Sequence, residues 1–364
     1  MVHIRSDFPG GNIRVEEKDG NNILLSKEMR GSSGTWFYWY FEAEFDQPGA
    51  YTFHFRDGAS IGTQGPATCT PEAKNWRWLG ADSIRSSKDC EAFLYSCQHP
   101  ETRRFCVGMQ YLQSDWKEFL GRENLSGSVL CRSRQGRDCE MLELGLGKIP
   151  VLITSRHHCC EMAATYVLEG IVASALKNPG FLEKFRILAI PFVDKDGVEN
   201  GDQGKNRLPH DHARDYNPTP IYPECAAIQQ LILARQPLLL MDLHCPWLRS
   251  GPSNESIYLV GSSNPDNAVR AERFAVQLEK HAVPQAPYFT ADNIPFGTSW
   301  NTAANYTQGS TLVSWSSLLP WQPTALSFEI PYANARDVVL TPPAWRRLGQ
   351  SFLQSIDSSF PNRA

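Results

Sequence analysis

Two periodicities divide the chain. Before about residue 112 the apolar positions recur as they do in strands. Trp36-Phe37-Tyr38-Trp39-Tyr40-Phe41 is aromatic on both alternating faces, the pattern of a strand covered on both sides. Gln47-Pro48-Gly49 reads as a turn, and Tyr51, Phe53 and Phe55 then alternate with Thr52 and His54 as in a half-buried strand. Phe105, Val107 and Met109 suggest a further strand, and no helical period of any length precedes Ser114. Residues 1–112 are therefore expected to form a small antiparallel β-sandwich domain.

Beyond that point strands and helices alternate. Ser128-Val129-Leu130-Cys131 and Met141-Leu142-Glu143-Leu144 flank Gln135-Gly136-Arg137-Asp138, which predicts a hairpin. Pro150–Thr154, Ile187–Ile190, Leu238–Leu243 and Ala325–Phe328 are short apolar runs with the length of buried strands. Ala164, Val167, Leu168, Ile171, Val172 and Ala175 form one helical stripe, closed by Asn178-Pro179-Gly180. Residues 271–280 predict another helix, and Trp345, Leu348, Phe352 and Ile356 mark a closing one. Residues 113–364 are expected to form an α/β domain, a mixed sheet with helices on both faces. Within it His158, His244 and Glu329 each follow an apolar strand, so residues far apart in sequence can meet at one sheet edge, where ligands bind in open α/β sheets.

Composition narrows the classes without choosing among them. The chain has 364 residues, 41% hydrophobic and 20% charged, and reads as globular. A formal net charge of -4 gives no reason to expect nucleic acid or an anionic membrane as partner. No apolar run approaches the length of a membrane span, and the first residues lack the apolar core of a secretory signal. Ten scattered cysteines without any CxxC pair then suggest reduced thiols, a cytoplasmic location and no four-thiolate zinc site. Oligomeric state is not set by the sequence.

The polar residues at the strand ends change the picture most. His158 and Glu161, three apart and just ahead of a helix, can put an imidazole and a carboxylate on one cation, and His244 can complete the set. Two His and one Glu are among the three-ligand sets of catalytic zinc sites, which leave a position for water. A single Zn2+ at His158, Glu161 and His244 would activate water, and Glu329 is the candidate base, since a carboxylate inside an apolar strand is otherwise unexpected. His157 and Cys160 have the same spacing and compete; successive strand residues face opposite ways, so only one His of the pair can face the cleft. Pro209-His210-Asp211-His212-Ala213-Arg214-Asp215 reads as a polar loop near the cleft, with a second metal site there as the sharper alternative.

The motifs Arg156-x-His158-x-x-Glu161, Asp196-Gly197-Val198, Arg207, Asp215-Tyr216-Asn217, Asp242-Leu243-His244 and Phe328-Glu329 stand in an order that resembles the M14 zinc metallocarboxypeptidases. The resemblance covers roughly residues 113–360. The front segment, with Asp7-Phe8-Pro9-Gly10-Gly11-Asn12 and Trp36-Phe37-Tyr38, is similar to the β domain of the cytosolic carboxypeptidases and their bacterial relatives. The resemblance implies that Arg156 holds the loop beside the ligands and that Asp215 accepts from the zinc-bound His158. It implies that Arg207 polarises the substrate carbonyl, that Asn217 binds the terminal carboxylate of a peptide, and that Tyr306 is the mobile tyrosine that caps substrate.

Two departures matter. The family reads Asp-Leu-Asn-Arg, with the Arg forked onto the substrate carboxylate, where this chain has Pro218 after Asn217. Arg214 is the nearby substitute. No Lys or Arg lies between Lys280 and Arg336, which speaks against glutamate trimming, and Trp300, Trp315 and Trp321 suggest an apolar or stacking pocket instead. The expectation is a zinc-dependent hydrolase cleaving a peptide or amide bond near a free C-terminal carboxylate. An amidohydrolase or deacylase acting on a modified amino acid or cell-wall peptide, and a non-catalytic binding protein, are the alternatives.

Overall fold

The computed structural model describes residues 2–56, 58, 60–86, 90–249 and 251–360. Residues 2–106 build two five-stranded sheets packed face to face. In one, Val2–Arg5, Tyr40–Phe45, Glu101–Cys106, Ala67–Cys69 and Arg77–Trp78 pair antiparallel throughout. In the other, the order is Arg14–Asp19, Asn22–Ser26, Gly49–Phe55, Glu91–Cys97 and Ile84–Ser86. Here one expectation fails, because Asn22–Ser26 runs parallel to Gly49–Phe55. Between those two strands the chain crosses to the first sheet through Tyr40–Phe45 and returns, and such a crossover permits parallel pairing. Phe41, Phe53, Phe93 and Phe105 fill the space between the sheets, with Phe53 and Phe93 stacked at 4.8 Å.

The aromatic run also differs from its expected form. The strand begins only at Tyr40, and residues 36–39 are extended without a strand partner. Their rings are used between the two parts of the chain. Trp39 stacks on Phe93, whereas Phe37 packs against Trp247 at 5.1 Å and Tyr332 at 5.5 Å.

The large sheet has seven strands in the order Ser128–Arg132, Asp138–Leu144, Phe185–Ile190, Ile149–Ser155, Leu239–His244, Thr324–Glu329, Tyr258–Val260. The four strands from Phe185–Ile190 to Thr324–Glu329 are parallel, and the flanking pairs are antiparallel. Val151, Ile153, Met241, Leu326 and Phe328 pack in one core with helices Met162–Leu176, Pro265–His281 and Pro342–Ser359. Leu152, Leu188, Ile190 and Leu240 pack in a second core with helix Pro223–Arg235, so both faces are covered. Helices Met162–Leu176 and Pro342–Ser359 approach closely at two glycines. A Cβ on Gly170 would lie 2.3 Å from the Arg346 carbonyl oxygen, and one on Gly349 would lie 2.4 Å from that of Val167. After Leu176 the chain does not simply stop. Asn178 accepts from the Phe181 amide at 3.1 Å and starts the short helix Pro179–Lys184.

Candidate metal and substrate site

The turn from Ser155 to Met162 sets the first two residues. Arg156 adopts φ 64°, and its carbonyl accepts from the Asp194 amide at 2.8 Å. Its buried guanidinium donates to the carbonyls of Cys159 (2.7 Å) and Tyr111 (3.0 Å), which clamps the turn. The Glu161 amide donates to the His158 carbonyl at 3.1 Å, and this tight turn brings both side chains to one side. His244 arrives as the last residue of its strand, with Glu329 as its register partner on the next.

The donor atoms of His158, Glu161 and His244 all lie within 4.8 Å of one another. Glu161 bridges them, with Oε1 2.8 Å from His158 Nδ1 and Oε2 2.8 Å from His244 Nδ1. On its other side His244 Nε2 stands 2.9 Å from Asp242 Oδ2. A neutral imidazole carries one N–H, so carboxylates at both nitrogens require either an imidazolium or a cation between His244 and Glu161. Burial works against the charged form, yet Asp242 and Glu161 hold the His244 pKa well above its ordinary value. For Glu161 burial also favours the neutral form, and Lys205, His158 and His244 outweigh it and keep the group a carboxylate. The donor set fits a dication that prefers nitrogen and oxygen ligands, as zinc does.

A second trio, His157, Asp242 and His244, is equally compact but is already satisfied. Asp242 accepts from Thr154 Oγ1 at 2.9 Å and meets His157 Nδ1 at 2.8 Å, and His157 Nε2 faces the Tyr216 hydroxyl at 2.6 Å. His157 is fully buried, whereas His158 and His244 open on a cavity. Burial pushes the Cys160 thiol up to about 12, which leaves the competing pair His157 and Cys160 without a thiolate.

That cavity, of about 700 Å³, holds His158, Lys205, Asp211, Arg214, Asp242, His244, Tyr306 and Glu329. Glu329 Oε2 is sealed from solvent and has no hydrogen-bond partner among the described residues. Burial, with the Glu161 charge behind it, pushes Glu329 up to about 7 against the pull of His244, Lys205 and His158. An acceptor without a partner beside the His and Glu cluster is suited to take a proton.

Several site residues sit where the sequence reading does not place them. Asp215 does not touch His158. It is fully buried, meets His210 Nε2 at 2.6 Å and accepts from the amides of Ile221 and Tyr222. Asp211, four residues earlier, lies 3.7 Å from His158 Nε2, and His158 and Arg214 hold its pKa far below the usual range despite burial. The motif Asp-x-x-Arg is therefore Asp211-His212-Ala213-Arg214, shifted by four residues from the frame expected around Asn217. In this frame Ala213 takes the third position and Arg214 the fourth. Arg214 lines the cavity, its guanidinium 5.0 Å from the Tyr306 ring centre, and it has no carboxylate partner among the described residues. Asn217 turns away from the cavity, donating to the Arg214 carbonyl at 3.1 Å and accepting from the Ser310 amide at 3.4 Å, so it braces the Arg214 loop.

Arg207 is also displaced. Its guanidinium is spent on Asp194 and Asp202, each at 2.9 Å, beneath the cavity wall. Lys205, two residues earlier and absent from the sequence-based set, takes the place beside the ligands, with Nζ 2.5 Å from Glu161 Oε1. Alternation along an extended segment puts residues 205 and 207 on the same side, but the left-handed Asn206 (φ 49°) breaks that alternation. Tyr306 lines the cavity and donates to Asn301 Oδ1 at 2.7 Å. His212 stacks on Tyr222 at 3.7 Å and His210 is held by Asp215, so the His-Asp-His segment forms no metal cluster among the described residues.

No family model matches the chain. It is 21% identical over 216 residues to an uncharacterized protein of Zymomonas mobilis, an alignment covering 55% of each; the chain thus matches about half the length of that curated relative. Among solved structures it superposes on a metallo-carboxypeptidase from Burkholderia cenocepacia with a TM-score of 0.82 at 17% identity, covering 100% of both chains. A metallo-carboxypeptidase from Pseudomonas aeruginosa, in complex with (2-guanidinoethylmercapto)succinic acid, gives 0.76 at 19% identity over 98% of both. The chain therefore has the metallo-carboxypeptidase fold over its full length, front β-sandwich included.

Proposed function

We propose that this protein is a zinc-dependent carboxypeptidase, with His158, Glu161 and His244 as ligands of one ion. The observation that carries the reading is the convergence, in one cavity, of the bridged His-Glu-His cluster, the unpartnered Glu329 and the unpaired Arg214. When bound, zinc supplies Lewis acidity that activates water and polarises a carbonyl. Arg214 holds the terminal carboxylate of the substrate through its guanidinium fork. Glu329 takes a proton from the attacking water and gives it to the leaving amine. Lys205 keeps Glu161 ionised and sets a positive charge beside the developing oxyanion. Tyr306, stacked on Arg214, covers the anchored terminus.

Residues 113–364 carry this chemistry in our reading, and residues 1–112 shape access to it, since Trp36 lines the cavity beside Trp247 at 5.1 Å. No described helix is long and apolar enough to cross a membrane. All ten cysteines are free, which fits a reducing compartment such as the cytoplasm. The amidase alternative drew its support from Pro218, and Arg214 in the cavity removes that support.

Metal analysis and a panel of blocked dipeptides with free and amidated C-termini test the assignment. The expected result is one zinc per chain and cleavage of the free acids at least about 30-fold faster than of the amides. His158→Ala is expected to lose zinc. Glu329→Gln is expected to keep it and lose about 10²- to 10⁴-fold in turnover, the usual worth of a general base. Equal cleavage of the amides rejects the carboxypeptidase, and an active Glu329→Gln rejects the base.

A further inference from the structure

The sheet register defines a pocket one step deeper than the His and Glu cluster. Glu329 is the register partner of both His244 and Tyr258, and Asp242, Ser327 and Val260 form the row two residues below them. Side chains two apart on a strand share a face, and all six of these residues line the cavity. The short helix Leu312–Ser316 closes over that lower row, contributing Val313 and Ser314 to the lining. The floor beneath the proposed scissile bond is thus Ser327, Val260, Val313 and Ser314, with Asp242 at its inner end.

Apart from Glu329, one row above the floor, the described charged groups at this cavity are partnered or lie at its wall. Lys205 is paired with Glu161, Asp211 with His158, and Asp242 has Thr154 and His157 on Oδ1 and His244 on Oδ2. Arg214 sits at the wall with Tyr306 and Asn305, where a main-chain carboxylate is anchored in the reading above. No described cation is left to receive an acidic side chain, and the nearest carboxylate, Asp242, repels it. The carboxyl without a partner, Glu329, stands one row above the floor beside the cluster, where it is the proposed base, and Asp242 in the floor's own row has both oxygens filled, so no described carboxylate of that row is free for a lysine or arginine side chain. A charge placed on this floor loses its hydration without gaining a partner, whereas an uncharged side chain meets two valines and two hydroxyls.

Resting on the carboxypeptidase reading, we propose that the pocket selects substrates whose C-terminal residue has an uncharged side chain. It rejects both glutamate and the basic residues, with Ser327, Val260, Val313 and Ser314 as the determinants.

Two measurements on the zinc-loaded chain test this. In the first, kcat/KM is compared for blocked dipeptides ending in Phe, Leu, Gln, Glu and Lys. The best uncharged residue is expected to exceed both Glu and Lys by at least 100-fold, and Ser314→Arg is expected to raise the Glu rate relative to wild type by 10-fold or more. A Glu or Lys substrate within 10-fold of the best uncharged one overturns the proposal. In the second, Glu329→Gln is titrated calorimetrically with 3-phenylpropionate, glutarate and 4-guanidinobutyrate, which need no turnover. The first is expected to bind at least 10-fold tighter than the other two; equal or reversed affinities overturn the proposal. Absence of cleavage with this order of affinities would instead reject the enzymatic reading and leave the pocket's selectivity standing.

Discussion

Replacing Arg214 by Ala separates anchoring of the terminal carboxylate from every other function of the site. This guanidinium makes few bonds that matter to the fold. It contacts the Asn305 carbonyl at 3.3 Å and the Tyr306 ring at 5.0 Å, with no carboxylate partner among the described residues. A cation–π contact at an exposed site is worth about 0.5–1 kcal/mol, so unfolding stability should fall by no more than about 1 kcal/mol. In the proposed reading the guanidinium pairs with the substrate carboxylate, and truncating one member of a desolvated pair costs about 2–5 kcal/mol. Because Arg214 stands at a wall open to solvent, the lower half of that range applies, about 2–3 kcal/mol, which is roughly 30- to 150-fold in kcat/KM. The assay is kcat/KM for a blocked dipeptide and for its C-terminal amide, with zinc content measured in parallel. The acid should lose roughly 30- to 150-fold, the amide about 3-fold or less, and zinc should stay at one per chain. A loss of equal size on both substrates, or less than about 5-fold on the acid, would refute the anchoring role.

Three other outcomes follow from the geometry. Asp211→Asn should weaken zinc binding about 10- to 100-fold, the usual effect of removing the acceptor behind a ligating His, whereas Asp215→Asn should leave zinc affinity unchanged while lowering the melting temperature. Competition with a chelator measures the first and thermal unfolding the second; equal effects on zinc would return Asp215 to the site. His244 has a raised pKa in the metal-free protein and must lose its Nδ1 proton to bind zinc, so zinc uptake at pH 7 should release protons and tighten as pH rises toward that pKa. Calorimetry in two buffers of different ionisation enthalpy reads the released protons, and a value of zero contradicts the bridging geometry. Gly349→Ala forces a methyl into the Val167 carbonyl across the helix crossing and should cost about 1–3 kcal/mol in chemical denaturation without changing kcat on a per-zinc basis.

The sequence made the strand ends legible because each required residue is local to a strong pattern. His158 and Glu161 sit between an apolar strand and a helical stripe, and His244 and Glu329 close apolar runs. Helix Pro223–Arg235 is harder to read because Glu224 is buried and Leu233 exposed, which blurs its apolar stripe; its signals are Pro223 in the first turn and Arg235 in the last. The polar loop from 201 to 217 is illegible for a different reason. It offers Asp211 and Asp215, Lys205 and Arg207, Arg214 and Asn217 in close succession, and no hydrophobic period sets which of each pair faces inward. What decides is three-dimensional. Asp194 and Asp202 capture Arg207, and the amides of residues 221 and 222 capture Asp215, which leaves Lys205 and Asp211 for the cavity. A sequence signal did exist for the second pair, since Asp211 and Arg214 have the Asp-x-x-Arg spacing that Asp215 lacks because Pro218 follows Asn217.

The charge balance of the site argues for the dication independently of any resemblance. Glu161, Asp211, Asp242 and Glu329 bring four carboxyl groups to the cluster, and Lys205 and Arg214 bring two cations. In a buried setting the excess must be relieved, since uncompensated carboxylates in low dielectric are expensive. Among the described residues that excess shows at two groups: Asp242 and Glu161 raise the His244 pKa against burial, and burial with the Glu161 charge pushes Glu329 up to about 7. Two carboxylates in excess match one doubly charged ion. In the proposed reading, a dication held by His158, Glu161 and His244 would relieve His244 of its extra proton, leave its Nε2–H donating to Asp242, and favour the ionised Glu329 that a base requires. The carboxylate excess that raises His244 and Glu329 is thus the charge that a bound dication would offset.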